Sequence, residues 1–158
     1  MTKQTAVNKQ HLLEIPSSCL DYNLRKASRI AAQHYEEVMK SCGLRNTQFS
    51  LLVATCLMDK PLITDLAHTL AMDRTTVSRN VKPLQRDGLL SIVPGVDKRS
   101  RHIVLTEAGR QRLLQAIPLW QKAHQSLQQK VGMENAQQLL TTLNTFANRL
   151  SGLHNHSG

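Results

Sequence analysis

The stretch DRTTVSRNVKPLQRDG, residues 73–88, carries four cations, three hydroxyl side chains and an apolar spine, with a proline inside it. In a helix starting at Arg74, Val77, Val81 and Leu84 recur at i, i+4 and i+7 and share one side. Thr75, Arg79, Lys82 and Arg86 follow the same spacing and share the other. Asp73 supplies an N-cap carboxylate, and Gly88 tolerates the left-handed backbone that ends a helix. Pro83 has no N–H for the Arg79 carbonyl and its ring crowds that turn. This predicts a bend or a loosened turn over 79–83, not a break, because the apolar stripe continues to Leu84.

A basic helix face is often only a solvated surface, but solvated faces usually alternate signs. No acid falls between Arg74 and Arg86. Small hydroxyl residues in the first turn, followed by arginine, suit a helix tip entering a major groove. Thr and Ser meet base edges or phosphates there, and Arg grips guanine or a phosphate oxygen through two parallel bonds. The expected division puts Thr75, Thr76 and Arg79 on bases and Ser78, Lys82 and Lys98 on phosphates. Arg74 and Arg86 complete the basic face.

The charge of the whole chain agrees. Its 158 residues carry a net charge of +9 and a pI near 10.0. Residues 74–101 hold seven cations against two acids, so this segment supplies a surplus of five out of nine. A clustered basic patch is the footprint of a polyanion. Aromatics are only 3%, too few for the stacking platforms that bind single strands, so duplex DNA is the expected partner. No apolar run approaches the ~18 residues of a membrane span, and the opening MTKQTAVNKQ lacks an apolar signal core. A cytoplasmic protein with no membrane contact is expected. Cys19, Cys42 and Cys56 are odd in number and lack CxxC spacing, so neither a disulfide framework nor a zinc ribbon is expected.

Outward from the basic helix, the chain reads as follows. A helix over 17–41 keeps Leu20, Leu24, Ala27, Ala31, Tyr35, Val38 and Cys42 in helical spacing and stops at Gly43. A second, over 47–58, is capped by Thr47 and turns Phe49, Leu52, Val53 and Cys56 inward. Lys60-Pro61 breaks it. A short helix over 64–70, with Leu66, Ala67 and Leu70 inward, joins the basic helix through a tight connection at 71–73, forming a helix–turn–helix. The period then changes. Residues 89–93 and 102–105 are β-type runs flanking the turn-rich, basic PGVDKRSR, the order of a winged helix. Thr106 caps a helix over 107–130 that Pro118 should kink. A last helix over 134–150 aligns Leu139, Leu140, Leu143, Phe146, Ala147 and Leu150.

The expected fold class is mainly α with a small β-hairpin wing: a winged helix–turn–helix with long terminal dimerisation helices. The expected organisation is a flexible tail over 1–10, an N-terminal dimerisation helix over 11–45, a DNA-binding domain over 46–106, C-terminal dimerisation helices over 107–152, and a flexible tail over 153–158. The terminal helices exceed what a small winged helix needs for its core, so a second copy of the chain is the expected cover. The alternative is a larger monomeric helical domain.

Over residues 20–150 the sequence resembles the MarR family of bacterial transcriptional regulators. The most specific match is DKRSRHIVLTEAG, residues 97–109, where Asp97, Arg99, Leu105, Thr106 and Gly109 stand at the family's wing and Leu-Thr-x-x-Gly positions. GLRNTQFSLL (43–52) and TDLAHTLAMDRTTVSRNVKPLQRDGLL (64–90) resemble its second helix and helix–turn–helix. Pro83 departs from the pattern. The resemblance implies a homodimer on a roughly palindromic duplex operator, usually a repressor released by a small ligand or by oxidation. It implies that Arg99 enters a minor groove, that Asp97 holds Arg99 extended, and that Lys98 and Arg101 add phosphate attraction. It also implies an effector crevice lined by Tyr22, Arg25, Arg29, His34, Thr47 and Phe49. This crevice suits a small organic acid, aromatic ones included. Alternatively these arginines only pair with Asp21, Glu36 or Glu37.

Two other readings stay open: a peroxide-sensing regulator acting through Cys19, and a sequence-tolerant architectural DNA-binding protein. Cys19 stands about two residues early for the redox branch and has no obvious polarising neighbour. His34, Glu36, Glu37 and Cys42 lack metal-ligand spacing. GxSxG, HExxH and a Gly-rich phosphate loop are absent. Neither a metal, a cofactor nor enzymatic activity is expected.

Overall fold

The computed structural model describes residues 8–95, 97 and 100–154, and it begins with a helix that the sequence does not advertise. Helix α1 (Lys9–Ser18) is capped by Asn8, whose side chain accepts from Gln10 N at 2.9 Å. Cys19 then leaves helical geometry (φ −75°, ψ 113°) and caps α2 (Leu20–Met39) by accepting from Tyr22 N at 3.4 Å. The amide of Asn23 braces this corner by donating to the carbonyls of Pro16 and Cys19. The expected single helix over 17–41 is therefore two, and residues 9 and 10 of the expected tail are helical. Pro16 lies in the last turn before the corner, where it has no N–H for the Leu12 carbonyl, and the helix ends two residues beyond it. Residues 1–7 and 155–158 of the expected tails lie outside the described residues, whereas residues 153 and 154 belong to the last helix.

A 3-10 turn (Lys40–Cys42) and Gly43, at φ +68°, end this arm. Helix α3 (Asn46–Met58) follows. Its cap position is Arg45, not Thr47: the Arg45 N–H donates to Gln48 Oε1 at 2.9 Å, and Thr47 lies within the first turn. Its buried residues are Phe49, Leu51, Leu52, Ala54 and Thr55, whereas Val53 is half-buried and Cys56 exposed. The helix is apolar nearly all round and is packed by α2, the recognition helix, the wing and the long helix beyond it, so no single stripe predicts its buried arc.

Helices α4 (Ile63–Thr69) and α5 (Arg74–Arg86) form the helix–turn–helix. Val77, Val81 and Leu84 are at most 2% exposed and meet Leu66, Leu52 and Leu51 in one core. Helix α5 runs through Pro83 as one element, and Asp87 N donates to the Pro83 carbonyl at 2.9 Å. Gly88, at φ +71°, then turns the chain into strand β1 (Leu90–Pro94). Strand β2 (Arg101–Leu105) pairs antiparallel with it, Leu90 opposite Leu105 and Pro94 opposite Arg101. The α3–α4 connection adds a short third edge: Ile103 N donates to Pro61 O at 2.8 Å, and Leu62 bridges His102. His102 Nδ1 donates to the Lys60 carbonyl at 2.6 Å, which anchors the wing to the core.

Thr106 caps α6 (Glu107–Val131) by accepting from Gly109 N at 3.0 Å, and its hydroxyl donates to the Gly88 carbonyl at 2.6 Å. Helix α6 continues through Pro118 and packs along α2; α7 (Met133–His154) returns against it. Gly109 lies where the first turn of α6 meets Leu89 and the end of β2. A Cβ added there would run into the Leu89 carbonyl oxygen and Leu105 Cδ1. Because the first obstacle is backbone, Gly109→Ala should destabilise the fold by about 1–3 kcal/mol. Urea unfolding would check this, with a loss under about 0.5 kcal/mol arguing that α6 can shift freely. Among the described residues no helix is long and apolar enough to cross a membrane.

Candidate nucleic-acid interface

Helix α5 exposes most of the polar side chains expected on its outer row, with one exception. Arg74, Thr75, Arg79, Lys82 and Arg86 are exposed, and Ser78 is half-buried. Arg86 Nε lies 3.2 Å from Asp87 Oδ1, a pair open to solvent and so weak. The exception is Thr76. Its N–H and hydroxyl both donate to Asp73, at 2.7 and 2.6 Å. The hydroxyl bond, then the backbone bond, hold the Asp73 carboxyl below the usual carboxylate range. Thr76 thus serves the cap rather than standing free for a base. Arg79 Nη2 lies 3.4 Å from the same hydroxyl, so its guanidinium leans back along the helix.

At the hairpin end, Asp97 and Arg101 are exposed. Ser100 closes the turn, its N–H and hydroxyl donating to the Asp97 carbonyl at 2.9 and 2.8 Å. Lys98 and Arg99 lie outside the described residues, and with them the expected Asp97–Arg99 pair.

The residues expected to share an effector crevice do not converge in one chain. Tyr22, Arg25 and Arg29 sit on the exposed part of α2, and Arg25 Nε pairs with Asp21 at 2.9 Å. His34 Nε2 donates to the Ala123 carbonyl at 3.0 Å, tying α2 to α6. Thr47 is exposed beside the recognition helix. Phe49 alone lines a sizeable cavity, about 620 Å³, between α3, the end of α4 and α6. Val53, Leu57, Leu70, Leu113, Ile117 and Trp120 form most of its wall, Cys56 stands at its edge, and no charged residue lines it. Sequence reasoning missed this wall, although Leu113, Ile117 and Trp120 are spaced i, i+4 and i+7 on α6. The meeting of that wall with α3 was not legible in the sequence.

Trp120 connects this cavity to a second hollow. Its ring stacks on Phe49 at 6.4 Å and on His124 at 5.1 Å. His124 Nδ1 is 3.1 Å from the Tyr35 hydroxyl. Burial pushes the Tyr35 phenol up. Tyr35 and His124 line a hollow of about 370 Å³ between α2, α6 and α7. Cys42 is buried and donates to the Met39 carbonyl; Cys19 is half-buried and engaged in its cap. Among the described residues no three metal-ligating side chains converge.

A helix–turn–helix with an exposed basic recognition helix, a two-stranded wing and long flanking helices defines a winged-helix DNA-binding protein. No family model matches the sequence. The Mycobacterium tuberculosis transcriptional regulator MosR, in its complex with DNA, is 33% identical over 84% of this chain and 98% of that one, with a TM-score of 0.72. The transcriptional repressor CouR, bound to a 23-mer DNA duplex, is 27% identical over 84% of this chain and 95% of its own, with a TM-score of 0.77. A MarR-family regulator from Rhodococcus sp. RHA1 shares the fold at 22% identity and a TM-score of 0.73, over 83% of this chain and 94% of that one. The chain belongs to the MarR family of transcriptional regulators.

Proposed function

We propose that the protein is a homodimeric, effector-responsive repressor acting in the cytoplasm at a palindromic duplex operator. The observation that carries this reading is the recognition helix: an exposed row of Thr75, Arg79, Lys82 and Arg86 without an acid between Arg74 and Arg86. The wing residues Asp97, Lys98, Arg99 and Arg101 extend that row in sequence. MosR and CouR, both solved on DNA, support duplex binding, and CouR's description as a repressor supports the sign of the output. Selection of bound genomic fragments followed by sequencing tests it. The expected result is an inverted repeat with half-sites about one helical turn, roughly 10 base pairs, apart. Fragments without a shared sequence would move the function to the architectural reading.

The effector seat we propose is the cavity of Phe49, Val53 and Trp120. CouR has also been solved with p-coumaroyl-CoA, which supports a ligand-responsive regulator in this fold. The cavity has no charged wall, so it suits a neutral aromatic or aliphatic molecule rather than a carboxylate. A carboxylate there would lose its water without gaining a partner. Trp120 is the chain's one tryptophan, so its fluorescence reports the cavity directly. A neutral phenyl compound should quench it with at least about tenfold higher affinity than its carboxylate counterpart, a difference of about 1.4 kcal/mol. Tighter binding of the acid, lost on replacing Arg25 and Arg29 by alanine, would return the site to the arginines of α2.

A further inference from the structure

We propose that Arg45 and Arg79 together seat one backbone phosphate of the bound DNA. The proposal rests on the DNA-binding reading above and adds a residue outside the recognition helix, Arg45. A pocket of about 220 Å³ opens where the entry to α3 faces α5, lined by Arg45, Thr47, Gln48, Arg79, Asn80 and Pro83. Both arginines are exposed, and the lining contains no acid. Among the described residues neither guanidinium belongs to an ion pair. Two cations brought to one pocket by different helices repel each other. An anion placed between them adds two attractions that outweigh the repulsion.

The rest of the lining fits the same guest. Gln48 Oε1 is already occupied by the Arg45 N–H at 2.9 Å, so this amide presents its NH2 group. The Asn80 amide and the Thr47 hydroxyl add donors. A phosphodiester accepts several bonds at once through two charged oxygens, and guanidinium forks match that geometry. Arg79 is held for this task rather than extended outward: Asp73 binds the Thr76 hydroxyl at 2.6 Å, and that hydroxyl lies 3.4 Å from Arg79 Nη2. Arg79 therefore grips the backbone, and base reading falls to Thr75 and its neighbours on the outer row. Phosphate contacts fix a protein's register on the duplex, so the seat sets how deeply the tip of α5 enters the groove.

The test is a salt titration of binding to random-sequence duplex DNA and to a selected operator, with wild type, Arg45→Ala and Arg45→Lys. Arg45 is exposed and its side chain makes no cap bond, so these variants leave the fold intact. Arg45→Ala should weaken both DNAs by the same factor. The slope of log affinity against log salt should become shallower by about 1 for each lost contact, about 2 for a dimer. Arg45→Lys should recover most of the slope. An unchanged slope in Arg45→Ala, with wild type showing its own steep slope, overturns the seat and leaves the DNA reading standing. A flat slope in wild type overturns both. Inorganic phosphate at constant ionic strength should compete equally weakly with DNA for wild type and Arg45→Ala. Strong competition seen only in wild type would make the pocket a free-anion site and overturn the backbone assignment.

Discussion

Raising salt from about 50 to about 200 mM should weaken binding to duplex DNA by three to five orders of magnitude. The size follows from the number of phosphates the protein can neutralise. Residues 74–101 carry seven cations and two acids. The cations described on α5, namely Arg74, Arg79, Lys82 and Arg86, are all exposed. Among these, Arg86 is the one in an ion pair, a solvent-exposed contact with Asp87. Each protomer of a dimer then supplies several phosphate contacts, about 6–10 in total. Release of that many condensed counterions sets the slope. Fluorescence anisotropy with labelled duplex at four or five salt concentrations measures it. Binding that hardly changed across the range would sink the assignment of α5 and the wing to DNA.

What the sequence disclosed depended on how far apart the deciding residues lie. The recognition helix was legible because its cap at Asp73, its stripe at Val77, Val81 and Leu84 and its stop at Gly88 all fall within one short segment. The hairpin was legible because the period changes on either side of PGVDKRSR. Helix α1 was not, because Pro16 reads as a breaker and none of its residues is buried in the chain to fix a stripe. The role of Thr76 was hidden by a local competition: the hydroxyl that suits a base also suits the Asp73 cap, and within the free chain the cap takes it. The proposed effector cavity needed a tertiary fact, that Trp120 of α6 lies over Phe49 of α3. Helical spacing aligns Leu113, Ile117 and Trp120 on α6 but cannot join them to α3. The same holds for Arg45, which lies outside the basic segment in sequence and beside Arg79 in space.

Leu139→Asp should convert the proposed dimer to monomer and lower operator affinity by about two to four orders of magnitude. In the single chain none of the described α7 side chains, residues 133–151, is buried, and Leu139 is 54% exposed. Leu139 and Leu140 share a hollow with Ile30 of α2, itself 58% exposed, and Leu13 on α1 is 73% exposed. Exposed leucines scattered singly need no explanation, but apolar side chains gathered around one hollow on flanking helices mark a surface that something covers. A second copy is the occupant that continues the chain's own pattern, because an isologous contact lets each terminal arm cover its counterpart. An aspartate at Leu139 then enters that contact twice, once from each protomer, without a cation to meet it. The expected cost is several kcal/mol. Affinity falls because two half-sites held by one dimer bind as a linked pair and a monomer holds only one. Since Leu139 is already half open in the single chain, helix content by circular dichroism should stay at the wild-type level. That separates lost assembly from lost folding. Sedimentation showing a Leu139→Asp dimer with wild-type operator affinity would place the dimer contact elsewhere, or refute it.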